Sequence, residues 1–199
     1  MGARIVVLVS GTGTNLAALL DATRDPAYGA TVVAVGSDRP GIPALDIAAE
    51  HGVPTFVRPL KDSPDRDAWN DTLADDIASY DADVVVCAGF MKLLRGDLVR
   101  RWPTLNTHPA LSPSFPGAHP VEDTLAHGVK ISGATLFLVD DGVDTGPIVA
   151  QVVVPVRDDD SVETLHARIK SAEHTMLVET VGRMMRDGYR VEGRHVTLA

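Results

Sequence analysis

Val84-Val85-Val86-Cys87-Ala88 is the stretch whose reading decides the fold. Five apolar residues with no polar alternation describe a strand covered on both faces, as a central strand of a parallel sheet must be. Cys87, the single cysteine of the chain, lies inside this run and is expected to act as a small buried hydrophobe rather than a nucleophile. Working back from it, Asp65–Tyr80 places Trp69, Leu73, Ile77 and Tyr80 on one helical stripe. Before that, Arg4–Val9, Thr31–Gly36 and Val53–Val57 have the β-branched, apolar character of strands, and Asn15–Asp21 and Pro43–His51 that of helices. This alternation of strand and helix predicts an α/β fold. Its sheet is doubly wound and mostly parallel, with helices on both faces and a Rossmann-like N-terminal half.

Working forward, Leu105–Thr107 is a short strand that Pro109 ends, because proline cannot donate to a ladder. Leu111–Pro120 holds three prolines and a glycine and is expected to be a rigid loop. Ser132–Val139 and Ile148–Val154 predict a hairpin-like pair of strands around the loop Asp140–Pro147. A long helix should start at Asp160, with Glu163 completing a capping box, and run to about Met185 before Gly188. Arg190–Ala199 is weakly strand-like, and the sequence assigns it no role.

A chain of 199 residues without repeats or linkers is expected to form one domain. Residues 1–103 would supply its phosphate- and nucleotide-binding half, and 104–199 its catalytic half. At this length roughly 70% of the unfolded chain's surface can be buried, so no disulfide or metal staple is needed. The net charge of −9 argues against a nucleic-acid partner, which would need a basic footprint. The longest apolar run, Val84–Met91, is too short to cross a bilayer. One thiol and no signal peptide lead us to expect a cytoplasmic protein.

Four groups of residues carry chemistry. Ser10-Gly11-Thr12-Gly13-Thr14-Asn15 follows the first strand and opens the first helix, where backbone N–H groups favour a phosphate. A capping turn, or a dinucleotide site served by Asp38, competes with that reading; Leu16 stands where the dinucleotide fingerprint needs a third glycine. Asn106 and His108 alternate along their strand onto one face. Asp144 sits in a glycine- and proline-framed loop, in which Asp140 and Asp141 suit turn formation. An amide donor, an imidazole and a carboxylate at neighbouring strand ends can manage a carbonyl that becomes a tetrahedral oxyanion. Glu173 falls in the apolar stripe of the last helix, where a carboxylate needs a partner or a ligand. His166 shares that stripe, and periodicity alone does not separate the two. No set of residues has metal-ligand spacing, and no serine sits on a Gly-x-Ser-x-Gly elbow.

Taken in order, Ser10–Asn15, Val84–Met91, Leu105–Pro109, Phe115–His119, Asp144–Pro147 and Glu173-His174 make the chain resemble the folate-dependent glycinamide ribonucleotide formyltransferases of purine synthesis. The resemblance runs from Ile5 to about Glu179. It implies that Gly13, Thr14 and Asn15 hold the ribonucleotide phosphate. Lys170, Ser171, Ala172 and above all Glu173 would hold its ribose and glycinamide end. Met91, Lys92, Leu93 and Leu94, with Asn106 and Asp140, Asp141, Gly142, Val143 and Asp144, would line the folate pocket, and Arg66 would lie near the folate tail. Two departures stand out: Lys92 where arginine is common, and Pro109-Ala110-Leu111-Ser112-Pro113 where Pro-Ser-Leu-Leu-Pro is common.

The implied partners are glycinamide ribonucleotide and 10-formyltetrahydrofolate, with no metal, nucleic acid or membrane, in a monomer or homodimer. Asn106 and a protonated His108 would steady the oxyanion, and Asp144 would favour the imidazolium and help relay a proton. Other formyltetrahydrofolate-dependent transferases and hydrolases share this core but normally carry an added domain. An NAD-binding Rossmann module is the alternative from another class.

Overall fold

The computed structural model describes residues 2–199. Its first strands, β1 (Ala3–Val9), β2 (Ala30–Ser37), β3 (Thr55–Val57), β4 (Val84–Cys87) and β5 (Thr104–His108), pair in parallel in the order β3-β2-β1-β4-β5. Two long strands continue the sheet, β6 (Ile131–Leu138) antiparallel to β5 and β7 (Ile148–Pro155) antiparallel to β6. A terminal hairpin, β8 (Tyr189–Glu192) and β9 (His195–Leu198), completes nine strands, with β9 beside β7.

Helices cover both faces. On one lie α1 (Thr14–Ala22), α2 (Pro43–Glu50), α5 (Pro120–Ala126) and the long α6 (Val162–Asp187). On the other lie α3 (Arg66–Ala78) and α4 (Asp97–Arg101). Strand alternation divides the core accordingly: Val84 and Val86 pack under α1 and α6, while Val85 and Cys87 pack under α3 and α4. Leu8, Leu16, Leu73 and Ile169 are fully buried, each worth roughly 1.5–3 kcal/mol in transfer terms. Trp69 is buried too, and its indole N–H donates to the Arg58 carbonyl at 2.8 Å.

The structure differs from the sequence reading at three helix starts. α5 begins inside the expected loop, because Pro120 occupies its first turn, where the missing N–H costs nothing. The short α4 carries too little periodicity to be read from sequence. The capping box of α6 lies one residue later than expected: Ser161 is the N-cap and Thr164 its reciprocal partner. Asp160 is drawn away by Arg168, whose guanidinium grips both carboxylate oxygens at 2.7 and 2.6 Å. No helix among the described residues is long and apolar enough to cross a membrane.

Burial pushes the Cys87 thiol up to about 12. The native protein should therefore resist a thiol reagent at mildly alkaline pH and react at one site per chain only once unfolded. Rapid labelling of the folded protein would show that β4 is not covered on both faces.

Candidate active site

Order β3-β2-β1-β4-β5 makes the sheet reverse its winding between β1 and β4, and the loops leaving those two strands open a crevice there. Ser10 joins the two loops: its N–H donates to the Gly89 carbonyl at 3.2 Å, and its hydroxyl accepts from Met91 N–H at 2.9 Å. Three hollows meet along this crevice, and Met91, 73% exposed, lines all of them.

The first hollow lies at the start of α1. Gly13 is the N-cap, with φ of 77° and no side-chain cap, so the first-turn N–H groups are left for another acceptor. A Cβ at Gly13 would also come within 2.7 Å of Ala44, so glycine is required both by its dihedral and by the packing of α1 on α2. Thr14 and Asn15 do not cap the helix. The Thr14 hydroxyl pairs with His174 Nε2 at 3.1 Å, and the Asn15 amide donates to Glu173 Oε1 at 2.7 Å. Thr107 Oγ1 donates to the same oxygen at 2.9 Å. Glu173 is thus buried as a hydrogen-bonded carboxylate rather than in an ion pair, whereas His166 is exposed at the rim. Buried Asn15 Oδ1 has no partner among the described residues. Lys170 lines the same hollow and supplies the local positive charge. Burial, aided by Lys170, lowers His174 below the ordinary histidine value despite Glu173 beside it.

The second hollow is lined by Phe90, Leu93, Leu94, Phe137 and Val143, with Lys92, Asn106, Gly142 and Asp144 as its polar members. Its lining is mostly apolar. The third hollow holds Asn106, His108 and Asp144 together and shares Thr107 with the first. β5 produces this division. Leu105 belongs to the core under α1 and α6, so Thr107 faces that side and Asn106 and His108 face the other.

His108 is 4% exposed and held from both nitrogens. The Phe115 carbonyl can only accept, so Nε2, 2.8 Å away, carries a proton. Nδ1 faces Asp144 Oδ2 at 3.5 Å, and that same oxygen accepts from Gly117 N–H at 2.9 Å. Phe115 and Asp144 are two of the three non-glycine residues with positive φ among those described, at 52° and 54°. Strained backbone therefore presents both groups to the imidazole.

Several residues named from the sequence lie elsewhere. Ser171 is exposed and Ala172 packs on the core, so neither lines a hollow. Asp140 folds its own loop, accepting from Gly142 N–H at 3.0 Å and from the Thr145 hydroxyl at 2.7 Å. Asp141 borders a separate charged cleft with Arg95 and Arg100. Arg66 stands behind the second hollow, its guanidinium 3.5 Å from the Leu93 carbonyl. Ser10, Thr107 and the Phe115 carbonyl were not singled out from sequence, because each acts through a partner distant in the chain.

Residues 3–181 match the formyl transferase family. The chain belongs to that family. It is 52% identical over 198 residues to phosphoribosylglycinamide formyltransferase of Mycobacterium tuberculosis, covering 98% of this chain and 91% of that one. It superimposes on glycinamide ribonucleotide transformylase 1 from Symbiobacterium toebii with a TM-score of 0.95, at 39% identity over 99% of this chain and 94% of that one. Phosphoribosylglycinamide formyltransferase from Anaplasma phagocytophilum gives 0.90 at 34% identity, over 100% of this chain and 95% of that one. The matched region ends within α6, leaving the β8–β9 hairpin beyond it.

In this formyl transferase Lys92 does not reach for a ligand alone. Its ammonium lies 2.9 Å from the buried carboxylate of Asp38. The dinucleotide alternative thereby loses its acidic residue, and Leu16 is packed in the core instead of opening the loop. Burial pulls the Asp38 carboxyl upward, but the Ser10 hydroxyl, Lys92 and Arg39 outweigh it and leave the group below the ordinary 3.8. A carboxyl lowered on folding adds stability above its unfolded value, and that stability is lost as pH falls through the lower folded one. Asp38→Asn should therefore lower Tm near neutral pH, with the deficit shrinking below the ordinary value of 3.8. A deficit that stays constant across that range, followed by thermal melts, would show that the Asp38 charge contributes nothing.

Proposed function

We propose that this chain transfers the formyl group of 10-formyltetrahydrofolate to the amine of glycinamide ribonucleotide. The products are formylglycinamide ribonucleotide and tetrahydrofolate. The observation that carries this reading is the third hollow. It brings Asn106, His108 and Asp144 to the junction between a phosphate-type cradle and an apolar slot.

Each hollow suits one substrate. The open N–H groups after Gly13, with Lys170, favour a phosphate monoester despite the overall charge of −9. Glu173 and the unpartnered Asn15 Oδ1 offer acceptors to ribose hydroxyls and to an amine. Phe90, Leu93, Leu94 and Val143 suit a pterin ring, while Gly142 and Asp144 meet its polar edge.

The chemistry then uses side chains alone. The neutral substrate amine attacks the formyl carbon, and charge builds on the formyl oxygen. Asn106 donates to that oxygen, where one preorganised donor is typically worth ~2.7–4 kcal/mol, and the positive charge of doubly protonated His108 stabilises it from alongside. Asp144 balances the imidazolium and helps move the proton lost by the attacking nitrogen, through water, to the departing folate nitrogen. Acid–base assistance of this kind contributes roughly 10²–10⁴-fold. No step calls for a metal or a covalent enzyme intermediate. A cytoplasmic setting fits the single buried thiol, and the acidic surface favours small-molecule partners over nucleic acid.

Following folate absorbance with and without glycinamide ribonucleotide tests the reading. Turnover should require the nucleotide; equal turnover without it would make the chain a formyltetrahydrofolate hydrolase. His108→Ala should lower kcat about a thousandfold or more. Ribonucleotide affinity should persist, because Asn15, Lys170 and Glu173 are untouched. Near-normal turnover by this variant would remove His108 from the reaction.

A further inference from the structure

The terminal hairpin reaches back to the loop that carries Asp144. After Asp187 the chain turns at Gly188 (φ 88°), runs along β8, turns again at Gly193 (φ 61°) and returns as β9. At that second turn Arg194 Nη2 donates to the Thr145 carbonyl at 2.9 Å and lies 3.5 Å from the Gly146 carbonyl. These are the carbonyls of the two residues that follow Asp144. His195, the next residue, pairs with Ile148 at the start of β7, so the turn is seated against the end of the same loop.

The loop needs such a hold. Asp144 keeps a positive φ of 54°, a conformation that surrounding contacts must impose. On its N-terminal side Asp140 Oδ1 binds Gly142 N–H and the Thr145 hydroxyl. Gly146 passes so close to the Leu138 carbonyl that a Cβ there would lie 1.7 Å from that oxygen. Arg194 supplies a charged donor to the carbonyls on the C-terminal side. The hairpin is itself fixed to α6: Arg183 donates to the Ala199 carbonyl at 3.2 and 3.1 Å, and the Ala199 N–H to the Gly188 carbonyl at 3.1 Å. One continuous set of contacts thus runs from the helix bearing Glu173 to the loop bearing Asp144.

We propose that Arg194 is a positioning residue for formyl transfer, holding the backbone after Asp144 so that its carboxylate faces His108. This rests on the role given above to Asp144. In the full-length protein Arg194→Ala should lower kcat roughly ten- to a hundredfold, the scale on which small misplacements of reacting groups act. KM for glycinamide ribonucleotide should change less than about twofold, because its hollow lies on the other side of β5. Arg194→Lys, which keeps a charged donor, should recover part of the loss. Arg190→Ala, which removes an Arg190–Glu192 ion pair on the same hairpin, should leave turnover unchanged.

A double-mutant cycle with Asp144→Asn separates positioning from general stabilisation. Arg194→Ala added to Asp144→Asn should cost almost nothing further. Additive losses, or Arg194→Ala turnover equal to that of the parent, would overturn the proposal while leaving the formyl-transfer reading intact. Parent-like turnover by Asp144→Asn alone would overturn both the proposal and the role given to Asp144.

Discussion

His108 is an imidazole fixed from two directions by backbone that would rather lie elsewhere. Phe115 turns its carbonyl to Nε2 and Asp144 its carboxylate to Nδ1, and both residues hold positive φ. The carbonyl requires a proton on Nε2, so any second proton must enter on the side where Asp144 waits. Burial keeps bulk water from competing for these contacts. The Gly117 N–H bond to Asp144 ties the proline-rich loop to the Asp144 loop, so the two segments that frame the histidine also hold each other.

Strand alternation in β5 spreads that arrangement across the crevice. Thr107 turns to one side and secures Glu173, while Asn106 and His108 turn to the other. A single extended segment therefore forms part of both substrate walls, and its five residues leave no flexible joint between them. Ser10 does the same for the loops after β1 and β4. The Ser10 joint sits where the sheet changes winding direction, and the alternation of strand and helix along the chain creates that place.

How much of this was legible follows from the range of each interaction. The strands could be read because Val84–Cys87 and its neighbours announce their burial locally. Asn106 and His108 could be placed on one face for the same reason. Glu173 could be marked as an anomaly in an apolar stripe, but its partners lie 158 and 66 residues away, at Asn15 and Thr107. Periodicity put His166 on the same stripe, and only packing separates exposed His166 from buried Glu173. Ser171 and Ala172 follow only from the family resemblance, and each is rotated off the face that Lys170 and Glu173 share. Pro120 reads as part of a loop because the same residue that breaks a helix interior also starts a helix. Asp160 matched a capping pattern that Ser161 fulfils, since the pull of Arg168 is invisible until the helix is folded.

The central claim is spatial: the two substrates meet where the apolar slot and the phosphate cradle open onto Asn106, His108 and Asp144. A crystal structure with glycinamide ribonucleotide and an unreactive folate analogue measures this directly. The account predicts the ribonucleotide phosphate at the start of α1, and the substrate amine and the one-carbon position of the folate together beside His108. Substrates bound in the crevice with their reacting atoms away from His108, or a phosphate held anywhere other than after Gly13, would contradict it.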